Sequence, residues 1–185
     1  MLTELRKATA VLHEQLEKEN NAKLILNHTI TPEQYKELLY QNYIAYYCTE
    51  KEISRQLQDY RESKYLALEK DLKALNIPAK VPASIAQKFS CNSEIEALGA
   101  AYVVEGSAMG GKIISKNLTE CSKLSHIKNH YFFSGKREDI KSWRAFTKKL
   151  ESRSFSDEEI RTAQSKARET FRFFSIAFMI QIPVF

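Results

Sequence analysis

An all-α bundle is the fold class this sequence predicts, and three observations predict it. Apolar residues recur at helical spacing along most of its 185 residues, and no stretch alternates apolar with polar residues over the length of a strand. Proline and glycine are scarce, four and five in number, so few positions interrupt long helices. With 43% hydrophobic and 28% charged residues and no internal repeat, the chain can bury one sizeable core, and a single domain over residues 1–185 is expected.

The elements follow in order. Leu2, Leu5, Leu12 and Leu16, with Thr9 between them, form one stripe of a first helix whose other face is charged. In "TPEQYKELLYQNYIAYYCTEKEISRQLQDY", Thr31 suits the N-cap, Pro32 the first helical position and Gln34 the return half of a capping box. That second helix is long. A third, "KYLALEKDLKALN", ends before Ile77-Pro78, and "IPAKVPAS" is the clearest connecting loop. Helical periodicity resumes from Ser93 to Leu118, giving one helix that carries "YVVEGSAMGGKIISKNL". "SGKREDIKSWRAFTKKLES" is another helix, and "SDEEIRTAQSKARETFRFFSIAF" the last, with Ser156 and Glu159 as its capping box. The tail "FSIAFMIQIPVF" is too apolar for a solvated end, so it packs on the body or meets another chain.

The totals also exclude functions. No 18-residue apolar run is present, and "MLTELRKATAVLHEQLEKE" is charged throughout without the apolar core of a signal peptide, so no membrane span and a cytoplasmic location are expected. Cys48, Cys91 and Cys121 are odd in number and widely spaced, which suits reduced thiols better than disulfides or a zinc site. A net charge of +5 and a pI near 9.0 favour acidic partners. Because the basic residues are interleaved with acids and no nucleic-acid fold signature accompanies them, nucleic acid is not expected as a partner.

Four of the five glycines lie between positions 99 and 111. A mid-helix glycine costs about 0.8–1.0 kcal/mol relative to alanine, so Gly106, Gly110 and Gly111 together forgo roughly 2–3 kcal/mol. At about 100° per residue, Gly99, Gly106 and Gly110 fall within roughly 40° of one another, a strip where backbone can approach another body. That body is either a neighbouring helix or a flat ligand, with Gly110-Gly111 letting the helix bend; spacing does not separate the two. His13 lies at the edge of the leucine stripe, where a lone histidine is more often a packing or surface residue than a ligand.

"LRKATAVLHEQLE", "YVVEGSAMGGKII", "WRAF" and "ARETFRFFSIAF" occur in that order between about Leu2 and Phe178. Together they resemble the heme oxygenase family, particularly its compact bacterial, bacteriophytochrome-associated members. The resemblance implies a single-domain heme oxygenase-like helical bundle. It makes His13 the axial ligand of the iron of heme b, which is both cofactor and substrate, and leaves the opposite iron face free for oxygen. His28, His126 and His130 match nothing in the motif. Gly106, Gly110 and Gly111 correspond to the distal helix, whose backbone steers bound oxygen toward a meso carbon.

The animal-type pattern has an aspartate one residue after the first of these glycines; here that residue is Ser107. A hydroxyl holds a water but supplies no carboxylate, so proton delivery and regiochemistry are where the analogy is weakest. Glu105 points about 200° away from Ser107 around the helix and is no simple substitute. Arg6 matches a basic propionate-contacting position, and Lys148, Lys149 and Arg153 are further candidates that also read as ordinary solvated charges. Phe171 and Phe178 match aromatic positions near the heme, or are core.

The implied reaction opens heme to biliverdin, carbon monoxide and ferrous iron. Since "GSAMGG" lacks Rossmann spacing, electrons must come from a partner, a ferredoxin- or flavodoxin-type donor, and a phytochrome is a candidate biliverdin acceptor. Two other classes remain open: a non-catalytic heme-binding or heme-trafficking protein of this fold, and a heme-free, thiaminase-like hydrolase. The hydrolase would want a catalytic cysteine with paired carboxylates, a pattern the sequence around the three cysteines does not show.

Overall fold

The computed structural model describes residues 1–182. Among these residues nine α-helices form the body: α1 (Leu2–Glu19), α2 (Ala22–Leu26), α3 (Pro32–Gln56), α4 (Lys64–Ala74), α5 (Ala83–Ala86), α6 (Glu94–Gly106), α7 (Ala108–Leu118), α8 (Arg137–Glu151) and α9 (Asp157–Ala177). No strand occurs among the described residues. Both expected capping boxes form, Thr31 with Gln34 and Ser156 with Glu159. The stripe on α1 holds too: Leu5 and Thr9 are buried, and Leu2, Leu12 and Leu16 pack at the edge of the core.

Helix α3 runs through the middle, with Leu38 to Tyr46 buried without interruption. It stops at Gln56, short of the expected Tyr60, because its last turn gives way to a loop that returns to its own flank. There Glu50 accepts the backbone N–H groups of Ser63, Lys64 and Tyr65 at 3.0, 3.2 and 2.7 Å. A carboxylate from one helix thus caps the positive end of α4.

The long glycine helix expected from Ser93 to Leu118 is divided at Ser107. Ser107 keeps helical angles (φ −63°, ψ −16°), and the Gly111 N–H reaches its carbonyl at 3.0 Å, so the chain bends without unwinding into a loop. The Ser107 hydroxyl donates to the Val104 carbonyl at 2.8 Å. Back-bonding of this kind, beside a glycine, bends helices.

Gly99 answers part of the glycine question. A Cβ there would collide with the carbonyl of Ala163, so this glycine exists to let α6 and α9 cross closely. The tail turns back on the body as far as it is described: Gln41 donates to the Ile180 carbonyl at 3.2 Å, and Ile180 and Ile182 pack against the core. Pro183, Val184 and Phe185 of that tail lie outside the described residues.

Candidate functional site

Helix α1 packs on α9, α8 and α2; α6 packs on α9 and α8; α7 packs on α8 and α2. The first helix and the bent α6–α7 helix therefore stand on the same supports without comparable packing on each other.

On α1, the His13 side chain is 59% exposed, with its ring edge-on to Phe171 of α9 at 5.8 Å between centroids. Its Nδ1 lies 3.6 Å from a carboxylate oxygen of Glu17, one turn further on. Glu17 was readable in the sequence, since residues four apart share a helix face.

On α6 and α7 the glycine strip resolves into two kinds of position. A Cβ on Gly106 would sit 3.8 Å from the Trp143 ring, ordinary contact. At Gly110 and Gly111 a Cβ would have nothing within 4 Å. Packing thus accounts for Gly99 but not for this pair. Ile113, on the same side of α7 as Gly110, is 57% exposed, so bare backbone adjoins an uncovered apolar side chain.

Ser107 borders this surface. Tyr46 of α3 is buried against Phe132 and Phe174, and that burial pushes its phenol up. The Ser107 proton is committed to the Val104 carbonyl.

Behind the bend lies a second polar group. The Tyr60 hydroxyl is 3.2 Å from both Glu50 and Glu105, and Lys64 Nζ stands 4.0 Å from the other Glu105 oxygen. That oxygen, Oε2, is the buried side-chain polar atom without a hydrogen bond among the described residues. Burial drives the Tyr60 phenol well above its ordinary value and pushes the Glu50 carboxyl up, against the pull of three backbone N–H groups. Glu105 thus faces α3 and α4, away from Ser107, as helical geometry requires.

The expected cations divide. Arg6 is exposed and forms no ion pair among the described residues. Lys149 reaches Asp59 at 3.7 Å, and Arg153 binds Glu94 at 2.7 Å and Glu159 at 3.4 Å, so both are held by carboxylates at the far end of α8. Lys148 is exposed and unpaired among the described residues. Phe171 is buried and also touches His13, and Phe178 meets Phe174 edge-on at 6.0 Å. His28 lies beside Asn117 and Glu120, and His130 bonds Tyr35 at 2.6 Å, both with local partners. The three cysteines are free and buried. No group of three or more His, Cys, Asp or Glu side chains suited to a metal ion exists among the described residues, and no helix there is long and apolar enough to cross a membrane.

The fold is a helical bundle with an exposed imidazole on α1 and bare helix backbone at Gly110 and Gly111 on α7. The family model for heme oxygenase matches residues 1–179, and the chain belongs to that family. Similar solved structures include heme oxygenase from Leptospira interrogans, 18% identical over 96% of this chain and 97% of that one, TM-score 0.75. Heme oxygenase-1 from the cyanobacterium Synechocystis, solved in complex with heme, is 16% identical over 96% and 90%, TM-score 0.74. The NO- and CO-bound heme oxygenase from Neisseria meningitidis is 18% identical over 96% and 89%, TM-score 0.68. At these identities the likeness is one of fold. No curated protein sequence matches the chain.

Proposed function

We propose that residues 1–185 form one heme-binding domain that degrades heme b oxidatively to biliverdin, carbon monoxide and ferrous iron. Oxygen and electrons from a ferredoxin- or flavodoxin-type donor are consumed, and a phytochrome is a fitting acceptor for the product. One observation carries the reading: Gly110 and Gly111 weaken a helix where no neighbour requires a missing side chain. A flat apolar ligand lying on that backbone supplies the reason.

The residues present fit such a group. Heme, when bound, supplies the iron that activates oxygen and the ring that is opened. His13 offers an exposed imidazole on α1 as the single protein ligand. Gly110 and Gly111 bring backbone where side chains would exclude the macrocycle, and Ile113 and Phe171 add apolar surface. Arg6 is a free cation on the His13 helix for a propionate. Gly106 and Ser107 set the bend, with the Ser107 hydroxyl bonded back to Val104. Lys149 is better placed to tie α8 to the loop after α3 than to meet a propionate.

A second reading, a heme carrier of the same fold, has its own observation: the Ser107 proton is engaged by Val104, and no carboxylate takes the place of a distal acid. Titrating hemin into the protein tests both. A sharp Soret band that His13→Ala abolishes is expected; no band would overturn both readings. Reductant under oxygen then separates them, because a growing biliverdin band means an enzyme and an unchanged Soret band means a carrier.

A further inference from the structure

Buried charges in this chain mostly hold backbone in place. Asp71 accepts two loop N–H groups, Glu50 caps α4, and Lys166 donates to the Ser90 carbonyl at 2.8 Å while pairing with Glu96 and Glu169. Glu105 and Lys64 differ. Each is 6% exposed, yet Glu105 Oε2 accepts no hydrogen bond among the described residues. The Lys64 ammonium has that oxygen as its one ion-pair partner there, at 4.0 Å. Tyr60 bonds only the other Glu105 oxygen, at 3.2 Å. A loosely joined buried pair adds little stability over an apolar pair of similar volume, so packing gives no reason for two charges here.

Their place in the fold gives one. Glu105 is the residue before Gly106 on the last turn of α6, and Ser107 keeps helical angles where α7 continues. Counted through the bend, Glu105 lies about 140° from Gly110 and about 120° from Gly111 on the other side. It therefore stands behind the backbone proposed as the wall for heme, and one helix thickness, about 10 Å, separates the two faces. The pair is also oriented. Its carboxylate belongs to the helix that runs into the wall, and its ammonium comes from α4, which packs on α3 without comparable packing on α7.

We infer that Glu105, with Lys64 behind it, sets the reduction potential of the iron of a heme bound at this wall, holding it below the value the site would give without the carboxylate. This rests on the heme-degrading reading above. A buried negative charge stabilises ferric over ferrous iron, and a low local dielectric lets its field act across a helix. Glu50 is offset by the three N–H groups of the α4 end that it caps, so the charge left to act is that of Glu105. No bond forms or breaks. The pair shifts only the balance between two oxidation states, so that weak one-electron reductants leave the iron ferric. At an effective dielectric near 20, a unit charge about 10 Å away changes the ferric-to-ferrous ratio roughly tenfold, and Lys64 offsets part of that.

The test is a spectroelectrochemical titration of hemin-loaded wild type, Glu105→Gln, Lys64→Met and the double variant. Glutamine keeps the shape of Glu105 and can still accept from Tyr60, so it removes the charge alone. At a fixed applied potential, Glu105→Gln should lower the ferric-to-ferrous ratio about three- to tenfold, an upward shift of about 30–60 mV for one electron. Lys64→Met should raise the ratio about two- to threefold, with the double variant between the two singles. Opposite signs are what charge requires, whereas a loosened bend moves both singles the same way. Equal potentials in wild type and Glu105→Gln, a downward shift in Glu105→Gln, or shifts of one sign in both singles would overturn the assignment. Glu105→Gln decides alone if Lys64→Met does not fold. Failure of the wild type to bind hemin would instead overturn the reading on which the inference rests.

Discussion

Replacing Gly110 and Gly111 by alanine separates stability from ligand binding, because the two quantities should move in opposite directions. Each glycine lies in α7 with helical neighbours, and a Cβ at either meets nothing within 4 Å. Alanine in place of a helical glycine adds about 0.5–1 kcal/mol, so the pair should stabilise the heme-free protein by about 1–2 kcal/mol. For a chain of this size that is a rise in Tm of roughly 3–6 °C. The same two methyl groups project into the volume a macrocycle would occupy. Overpacking at such a contact costs about 1–3 kcal/mol, so hemin affinity should fall roughly five- to 150-fold. Thermal unfolding followed by circular dichroism reads the first effect and hemin titration the second. A lower Tm would show that the glycines are needed for packing; a raised Tm with unchanged hemin affinity would show that this backbone is not the wall of the site.

The remaining predictions concern other parts of the bundle. Gly99→Ala must push its Cβ into the Ala163 carbonyl and should lower stability by about 2 kcal/mol or more in urea unfolding, the opposite sign to Gly110→Ala. Glu105→Leu strands the buried Lys64 and should cost about 3 kcal/mol, whereas Glu105→Leu with Lys64→Met should return to within about 1 kcal/mol of wild type; equal losses would mean the two groups do not interact. Asp71, buried while accepting the Tyr131 and Phe132 N–H groups, is pushed from 3.8 to about 6 by desolvation. The native carboxyl therefore holds its proton to higher pH than the unfolded one. Its contribution, about 2–3 kcal/mol, is fully present below pH 3.8 and is lost as pH rises through about 6. The stability difference between wild type and Asp71→Asn should accordingly shift toward wild type as pH falls from 7 to 4; a constant difference would refute the shift.

What the sequence made legible was local. The capping boxes at Thr31 and Ser156 need residues three apart, the α1 stripe needs one helical period, and both appear as expected. His13 and Gly110 stood out for the same reason. The features that were hidden depend on residues distant in the chain. Gly99 and Gly110 look alike on a helical wheel, and only the arrival of Ala163 beneath Gly99 distinguishes a packing glycine from a bare one. Lys149 could be assigned neither to Asp59 nor to a propionate before the loop after α3 was in place. The Glu50, Tyr60, Lys64 and Glu105 cluster likewise joins three helices, so no window on one of them contains it. The break at Ser107 was closer to hand, since a serine beside a glycine can bond back to the preceding turn.

The wall of main chain proposed here for the heme has a consequence for how such a protein diverges. The surface at Gly110 and Gly111 asks of the sequence only that a helix form and that two side chains be missing, whereas a wall built of side chains would tie many positions to particular shapes. Residues around it are thus free to drift so long as they keep the helix. On the proposed function, substitution is least tolerated at Gly110 and Gly111, the smallest residues of the chain.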